Sequence, residues 1–359
     1  MPATATIENI TVLMRLSLPS WLSPLQAASG APRLWIGTQP GGEQGSIHVV
    51  DFDSATGEFA RPRKVVDIPN PSWLCPGPRS GILHTVVEQG GPSGGRVCTF
   101  DVRGRRVRLL GEVRSMGEYP CHLTLAPDGS FLVVANYGGG VCRLPLGADG
   151  AVGASGSPIV TPLPRSRAHW VGFRDGTLWV ADFGHDCLRL IEQSGREVHT
   201  VRFPSGAGPR TIAWHPHLPV CFVACESDNT VRVVSTPTGE ARIVGEHSLL
   251  PPGVHVRSVA AHVATDASGQ FVYASNRGHD SVAVFEVSPT GGLTPCGHAS
   301  SGGAHPRHFT LDPTGRWLIV ANRDSNNVVP IPVHEGRPGQ ARKPAHVRAP
   351  SSVTFVNGE

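Results

Sequence analysis

A short apolar strand closed by a polar residue occurs seven times along this 359-residue chain, at steps of 44 to 50 residues. The seven anchors are Leu34-Trp-Ile-Gly-Thr38, His84-Thr-Val-Val-Glu88, Leu132-Val-Val-Ala-Asn136, Leu178-Trp-Val-Ala-Asp182, Phe222-Val-Ala-Cys-Glu226, Val272-Tyr-Ala-Ser-Asn276 and Leu318-Ile-Val-Ala-Asn322. Self-similarity at this period means repeated units, each too small to bury its own apolar faces alone. Turn signals precede the anchors at Pro127-Asp-Gly129, Asp175-Gly176, Ala267-Ser-Gly269 and Pro313-Thr-Gly315, with the Gly and Asp that tight hairpins require. Before the turns stand further short strands: Pro71-Ser-Trp-Leu74, Pro120-Cys-His-Leu123, Ala168-His-Trp-Val171, Pro209-Arg-Thr-Ile212, Ala260-Ala-His-Val263 and Pro306-Arg-His-Phe309. Alternating strands such as Ser281-Val-Ala-Val-Phe-Glu286 follow the anchors, and no segment of ten or more residues reads as an amphipathic helix. Four strands per unit and seven units about an axis predict an all-β, seven-bladed β-propeller.

The ends complete the ring. The first anchor has no inner strand before it, and Pro350-Ser-Ser-Val-Thr-Phe355 reads as an inner strand with no anchor after it. Pairing the two builds one blade from both termini and removes two open sheet edges. Residues 32–359 are therefore expected to form a single propeller domain, with 1–31 a loose leader. Met14-Arg15, the Leu-rich stretch after it and Ala27-Ala28-Ser29 bear a faint likeness to a signal peptide, but Pro19 and Pro24 interrupt the apolar part.

Composition excludes several classes. Only Lys64 and Lys343 are lysines among 31 basic residues, which argues against Schiff-base chemistry and leaves arginine recognition of anions open. The net charge is +3 with no basic stripe, so nucleic acid is not expected as a partner, and no apolar run spans a membrane. The eight cysteines lie at irregular spacing without C-x-x-C, and are read as reduced thiols of a cytoplasmic protein. The chain has no G-x-S-x-G, P-loop or H-E-x-x-H motif.

Hairpin geometry places the chemistry. The residue opening an inner strand and the polar residue closing its anchor return to the same end of a blade, next to the central channel. One channel mouth thus collects His169, Arg210 and Arg307, with His122, His262 and His308 one position further on. It also collects Glu88, Asp182 and Glu226, with Arg277 and Arg323 just after their Asn anchors. A mouth so rich in Arg, His and carboxylate suits an anionic ligand and proton transfer. Repeated polar residues at strand ends also cap backbone between blades, and Asn136, Asn276 and Asn322 are read that way. Arg210, Glu226 and Arg277 depart from the repeat, and stability alone gives no reason for charges there. Glu88, Asn136, Asp182 and Glu226 offer hard oxygens, but the neighbouring Arg and His weigh against a metal, and no metal or cofactor is expected.

The motifs Asn70-Pro-Ser-Trp-Leu74, Tyr119-Pro-Cys-His122 with Ala135-Asn-Tyr137, His169 with Ala181-Asp182 and Asp186, Gly208-Pro-Arg210 with Glu226, Ala274-Ser-Asn-Arg-Gly-His-Asp-Ser281, and His305-Pro-Arg307 with Ala321-Asn322 together carry a likeness. They resemble the bacterial seven-bladed 6-phosphogluconolactonase family, related to the fungal carboxymuconate cyclases, over about residues 33–356. The resemblance implies cofactor-free lactone chemistry, with His169, Arg210, Glu226 and Arg277 catalytic. The substrate would lie against Glu88, His122, Asp182, His262, Arg307 and His308. The expected function is hydrolysis of a sugar lactone, 6-phosphogluconolactone to 6-phosphogluconate, on a small anionic substrate, by a monomer or weak homo-oligomer. The alternatives are a carboxymuconate-type lactonising isomerase, and a propeller that binds without turnover. Phe183 stands where the family usually has Leu, which bears on substrate fit rather than on fold.

Overall fold

Successive side chains of a strand point to opposite faces, and the unbroken apolar anchors mean that both faces are covered. Leu132 and Val134 pack with Val86 and Val97 of the preceding sheet, while Val133 and Ala135 pack with Val171, Val180 and Ile191 of the following one. The same division recurs around the molecule and gives seven apolar layers, one between each pair of neighbouring sheets. The structure is a computed structural model that describes residues 33–356, apart from 92–93, 105, 154, 193 and 237–239. Seven antiparallel sheets close on themselves in a seven-bladed β-propeller, with no α-helix among the described residues. The expected leader, 1–31, lies outside those residues.

Blade five shows the pattern: inner strand Pro209–Trp214, anchor Val220–Cys225, third strand Thr230–Ser235 and outer strand Arg242–Ser248. Blade one takes its inner strand from the other end of the chain. Pro350–Val356 pairs antiparallel with Arg33–Thr38, placing Leu34 opposite Phe355 and Ile36 opposite Val353. In blade two the inner strand is only Leu74–Pro76 rather than starting at Pro71. Pro71 has no N–H to donate and Asn70 is left-handed (φ 40°), so the chain enters irregularly, with the Trp73 carbonyl accepting from Val86 N.

Ending the chain at Ala349 removes the inner strand of blade one and opens two sheet edges. Val353 and Val356, 1 % and 5 % exposed, contribute about 2 kcal/mol each by burial alone. The truncated chain is expected to aggregate or to melt well below the full chain in a thermal scan. An unchanged melting temperature would rule out this closure.

Candidate active site

The inner strands do not enter their sheets in regular register. Pro209 pairs with Cys225 and Thr211 with Ala224, which leaves Arg210 as the extra residue of a bulge. The same shift isolates His169 between Ala168 and Trp170, and Arg307 between Pro306 and His308. A bulge turns its extra side chain off the alternating pattern. Adjacent residues such as Arg307 and His308 therefore both reach the channel, which a regular strand would forbid.

Glu226 is the centre of charge. Its Oε2 lies 2.7 Å from Arg210 Nε and 2.8 Å from Arg277 Nη2. Arg210 and Arg277 are 4 % and 7 % exposed, and their guanidinium groups also donate to the carbonyls of Ala261 and Ala260. Burial works to raise the Glu226 pKa, but Arg210 and Arg277 outweigh it and hold the carboxylate ionised below its ordinary range. Burial, then Arg277, pulls Arg210 below the usual guanidinium range. Glu88 accepts from Ser72 Oγ and stands 4.0 Å from Arg307 Nη2. Three arginines against two carboxylates leave one net positive charge.

The histidines are neutral. Burial, followed by the charges of Arg210 and Arg307, pushes His169 well below its ordinary pKa, and its Nδ1 is buried with no partner among the described residues. Burial with neighbouring His and Arg does the same to His122 and His262, and burial with Arg210 and Arg307 takes His308 down to about 3. His122 lies 4.2 Å from the Trp73 ring and His308 5.0 Å from it, while His262 and His308 are 4.1 Å apart, centroid to centroid. Trp73 is the member of this group that sequence reasoning did not pick out. Its signal was positional, since it occupies the column that holds His122, His262 and His308 in other blades.

Asp182 is not brought to this group. It caps the 3-10 turn Phe183–His185, and its oxygens take up Ser166 Oγ at 2.8 Å, Arg167 N at 2.9 Å and His185 Nδ1 at 2.9 Å. Asp182 is 1 % exposed, so this carboxylate is spent on the connection between blades three and four. Asn136, Asn276 and Asn322 donate to the carbonyls of Ser115, Leu249 and Ser301. The hard oxygens considered for a metal therefore do not converge, and no metal-binding cluster occurs among the described residues. Arg323 pairs with Asp324 at 2.8 Å on the rim, where a depression of about 680 Å³ is lined by Asn70, Glu88 and Tyr119.

The family described as Lactonase, 7-bladed beta-propeller, matches residues 33–355. A 6-phosphogluconolactonase of Bacillus subtilis (strain 168) is 28 % identical over 82 % of this chain and 89 % of its own length. Another, of Pectobacterium carotovorum, is 31 % identical over 65 % of this chain and 73 % of its own. Among solved structures, the periplasmic gluconolactonase PpgL of Pseudomonas aeruginosa superposes with a TM-score of 0.83 at 27 % identity, covering 91 % of this chain and 99 % of that one.

Proposed function

Because this chain belongs to the seven-bladed β-propeller lactonase family, we propose that it hydrolyses a sugar lactone at the channel mouth, 6-phosphogluconolactone to 6-phosphogluconate. The observation that carries the reading is His169: a buried imidazole, held neutral, standing under the charges of Arg210 and Arg307 in the charged group around Glu226. Water attacks the lactone carbonyl carbon while His169 takes its proton. Arg210 and Arg277 stabilise the oxyanion that forms, being fixed in place before the reaction begins. The ring C–O bond then breaks, and the imidazolium returns the proton to the leaving alkoxide oxygen. Glu226 holds the two guanidinium groups together. Ion-paired with both at once, its carboxylate is committed to holding them in place.

The charge of the developing oxyanion is met by the single net positive charge of the group, and His122, His262, His308 and Trp73 form a neutral surface beside it. Arg307, paired with Glu88, faces the same space. Every group named comes from one chain, so a monomer suffices. We place the reaction in the cytoplasm on the strength of eight unpaired cysteines. No helix among the described residues is long and apolar enough to cross a membrane.

His169→Asn keeps a polar side chain and removes the base. It is expected to lower kcat by about 100-fold to 10,000-fold with little change in KM. A base with a depressed pKa stays active below the ordinary histidine range, so the acid limb of kcat/KM is expected below pH 6.5 and is lost in the variant. A pH-stat series on wild type and variant reads both effects. An unchanged kcat in His169→Asn would remove His169 from the mechanism.

A further inference from the structure

Four blades carry an Asp or Asn of positive φ just before their third strand: Asp186 (49°), Asn229 (54°), Asp280 (55°) and Asn326 (54°). Three of these clasp the connection into the next blade. Asp186 accepts from Gly208 N at 2.7 Å, Asp280 from His305 N at 2.8 Å and Asn326 from Ala349 N at 2.8 Å, each donor standing directly before a Pro that opens an inner strand. Asn229 makes no such bond. It is 7 % exposed, yet neither Oδ1 nor Nδ2 has a partner among the described residues, a costly state for a buried amide.

The connection that Asn229 would clasp is 249–258, which follows the outer strand of the blade that carries Arg210 and Glu226. It is longer than the clasped ones, 203–208, 301–305 and 347–349, and enters blade six without a Pro. Its far end is tied to the other half of the site instead. Ser258 Oγ donates to the Arg277 carbonyl at 3.2 Å, and a Cβ on Gly278 would lie 2.2 Å from the Arg257 carbonyl oxygen. Arg257 thus stands beside the backbone of Arg277, with an exposed side chain that makes no ion pair or hydrogen bond among the described residues. No carboxylate lies within 249–258.

Charge decides what such an arginine is for. The channel group's one net positive charge matches one carboxylate or one developing oxyanion, whereas a phosphate ester brings about 1.5 to 2 negative charges of its own at neutral pH. Arg323, which lines the depression beside Glu88, already has Asp324 as its counter-ion. We infer that Arg257 is the arm that grips the phosphate of a phosphorylated lactone, and that the 249–258 connection carries it inward as Asn229 takes up the clasp its three counterparts already make. The inference rests on the lactonase reading above.

Kinetics of the full chain with freshly generated 6-phosphogluconolactone and with glucono-δ-lactone test it. Arg257→Gln is expected to raise KM for the phosphorylated lactone at least about tenfold more than KM for the other, the worth of one charge-assisted bidentate contact. Inhibition by inorganic phosphate weakens in parallel, and decides the matter if glucono-δ-lactone turns over too slowly to read. Asn229→Ala is expected to move the KM ratio the same way, whereas an Asn229 satisfied only by water would leave it unmoved and overturn the clasp. Equal changes for both lactones in Arg257→Gln, or none, overturn the arm and leave the lactonase reading standing. If the unaltered chain opens neither lactone, that reading falls and the arm with it.

Discussion

Arg210→Ala is expected to slow lactone opening by at least about 100-fold, the usual cost of removing one fixed oxyanion donor, while the chain keeps its sheet structure. Arg210 sits on a bulge at 4 % exposure, 2.7 Å from Glu226. Removing it takes the mouth from one net positive charge to none and leaves Glu226 to Arg277 alone. The Ala261 carbonyl loses its guanidinium donor but still accepts from Thr211 Oγ1 at 3.3 Å, so the loss is that of one charge-assisted hydrogen bond, about 1.5–3 kcal/mol. That is within the reserve of a domain whose stability is typically about 5–15 kcal/mol. Arg210→Lys restores the charge but not the forked donor set, so it is expected to recover only part of the rate. Circular dichroism and kcat/KM on the same samples separate the two effects. Native spectra with undiminished activity would move the chemistry away from this mouth.

Acid is expected to unfold the chain cooperatively between about pH 5 and pH 4, driven by histidines buried in the neutral state. Burial holds His84 at about 4 and His308 at about 3, and with neighbouring charges holds His122, His169 and His262 well below the usual value of 6.5. Because each folded pKa is depressed, the unfolded chain binds more protons below pH 6.5. Stability is therefore complete above that pH and falls as pH drops toward the folded values. A histidine held neutral contributes about 1.4 kcal/mol per pH unit below 6.5, so His84 and His308 together remove about 4 kcal/mol by pH 5, and His122, His169 and His262 add to a loss that is large against a domain's stability of about 5–15 kcal/mol. Guanidinium titrations at several pH values measure the slope, and His308→Gln is expected to reduce it by one proton. A stability that stays flat from pH 6.5 to pH 4.5 would show that these rings are not held neutral.

The architecture was legible because it is periodic. An anchor buried on both faces has to be apolar throughout, so Leu132–Ala135 and its six counterparts announce themselves, and their spacing counts the blades. Closure through Pro350–Val356 was legible for the complementary reason, since an inner strand lacking an anchor and an anchor lacking an inner strand can satisfy each other. Part of the charged cluster at the candidate site was legible as well. Hairpin arithmetic brought Arg210 toward Glu226, and the structure pairs them. Alternation alone could not show that bulges turn His169, Arg210 and Arg307 into the channel beside their neighbours, because a bulge is a register event between two strands and leaves no mark on either.

Asp182 shows a different limit. At the strand end it resembled Glu226, but the short turn after it needs a cap, and His185 three residues on receives that carboxylate. The spacing was visible, yet the competition between capping a turn and facing a channel is settled only when Ser166 and Arg167 arrive from the neighbouring connection. Trp73 was obscured by its type, for an aromatic among apolar residues reads as core. The open clasp at Asn229 was hidden because it is a missing contact, evident only against the three blades that make it.

The most direct test of the account is the opening of freshly generated 6-phosphogluconolactone, followed by NMR with and without the full chain. The account predicts a saturable acceleration over the spontaneous rate, with 6-phosphogluconate as product, that Arg210→Ala loses. A rate equal to the spontaneous one, for this lactone and for unphosphorylated lactones and muconates alike, would contradict it and leave a propeller that binds without turnover.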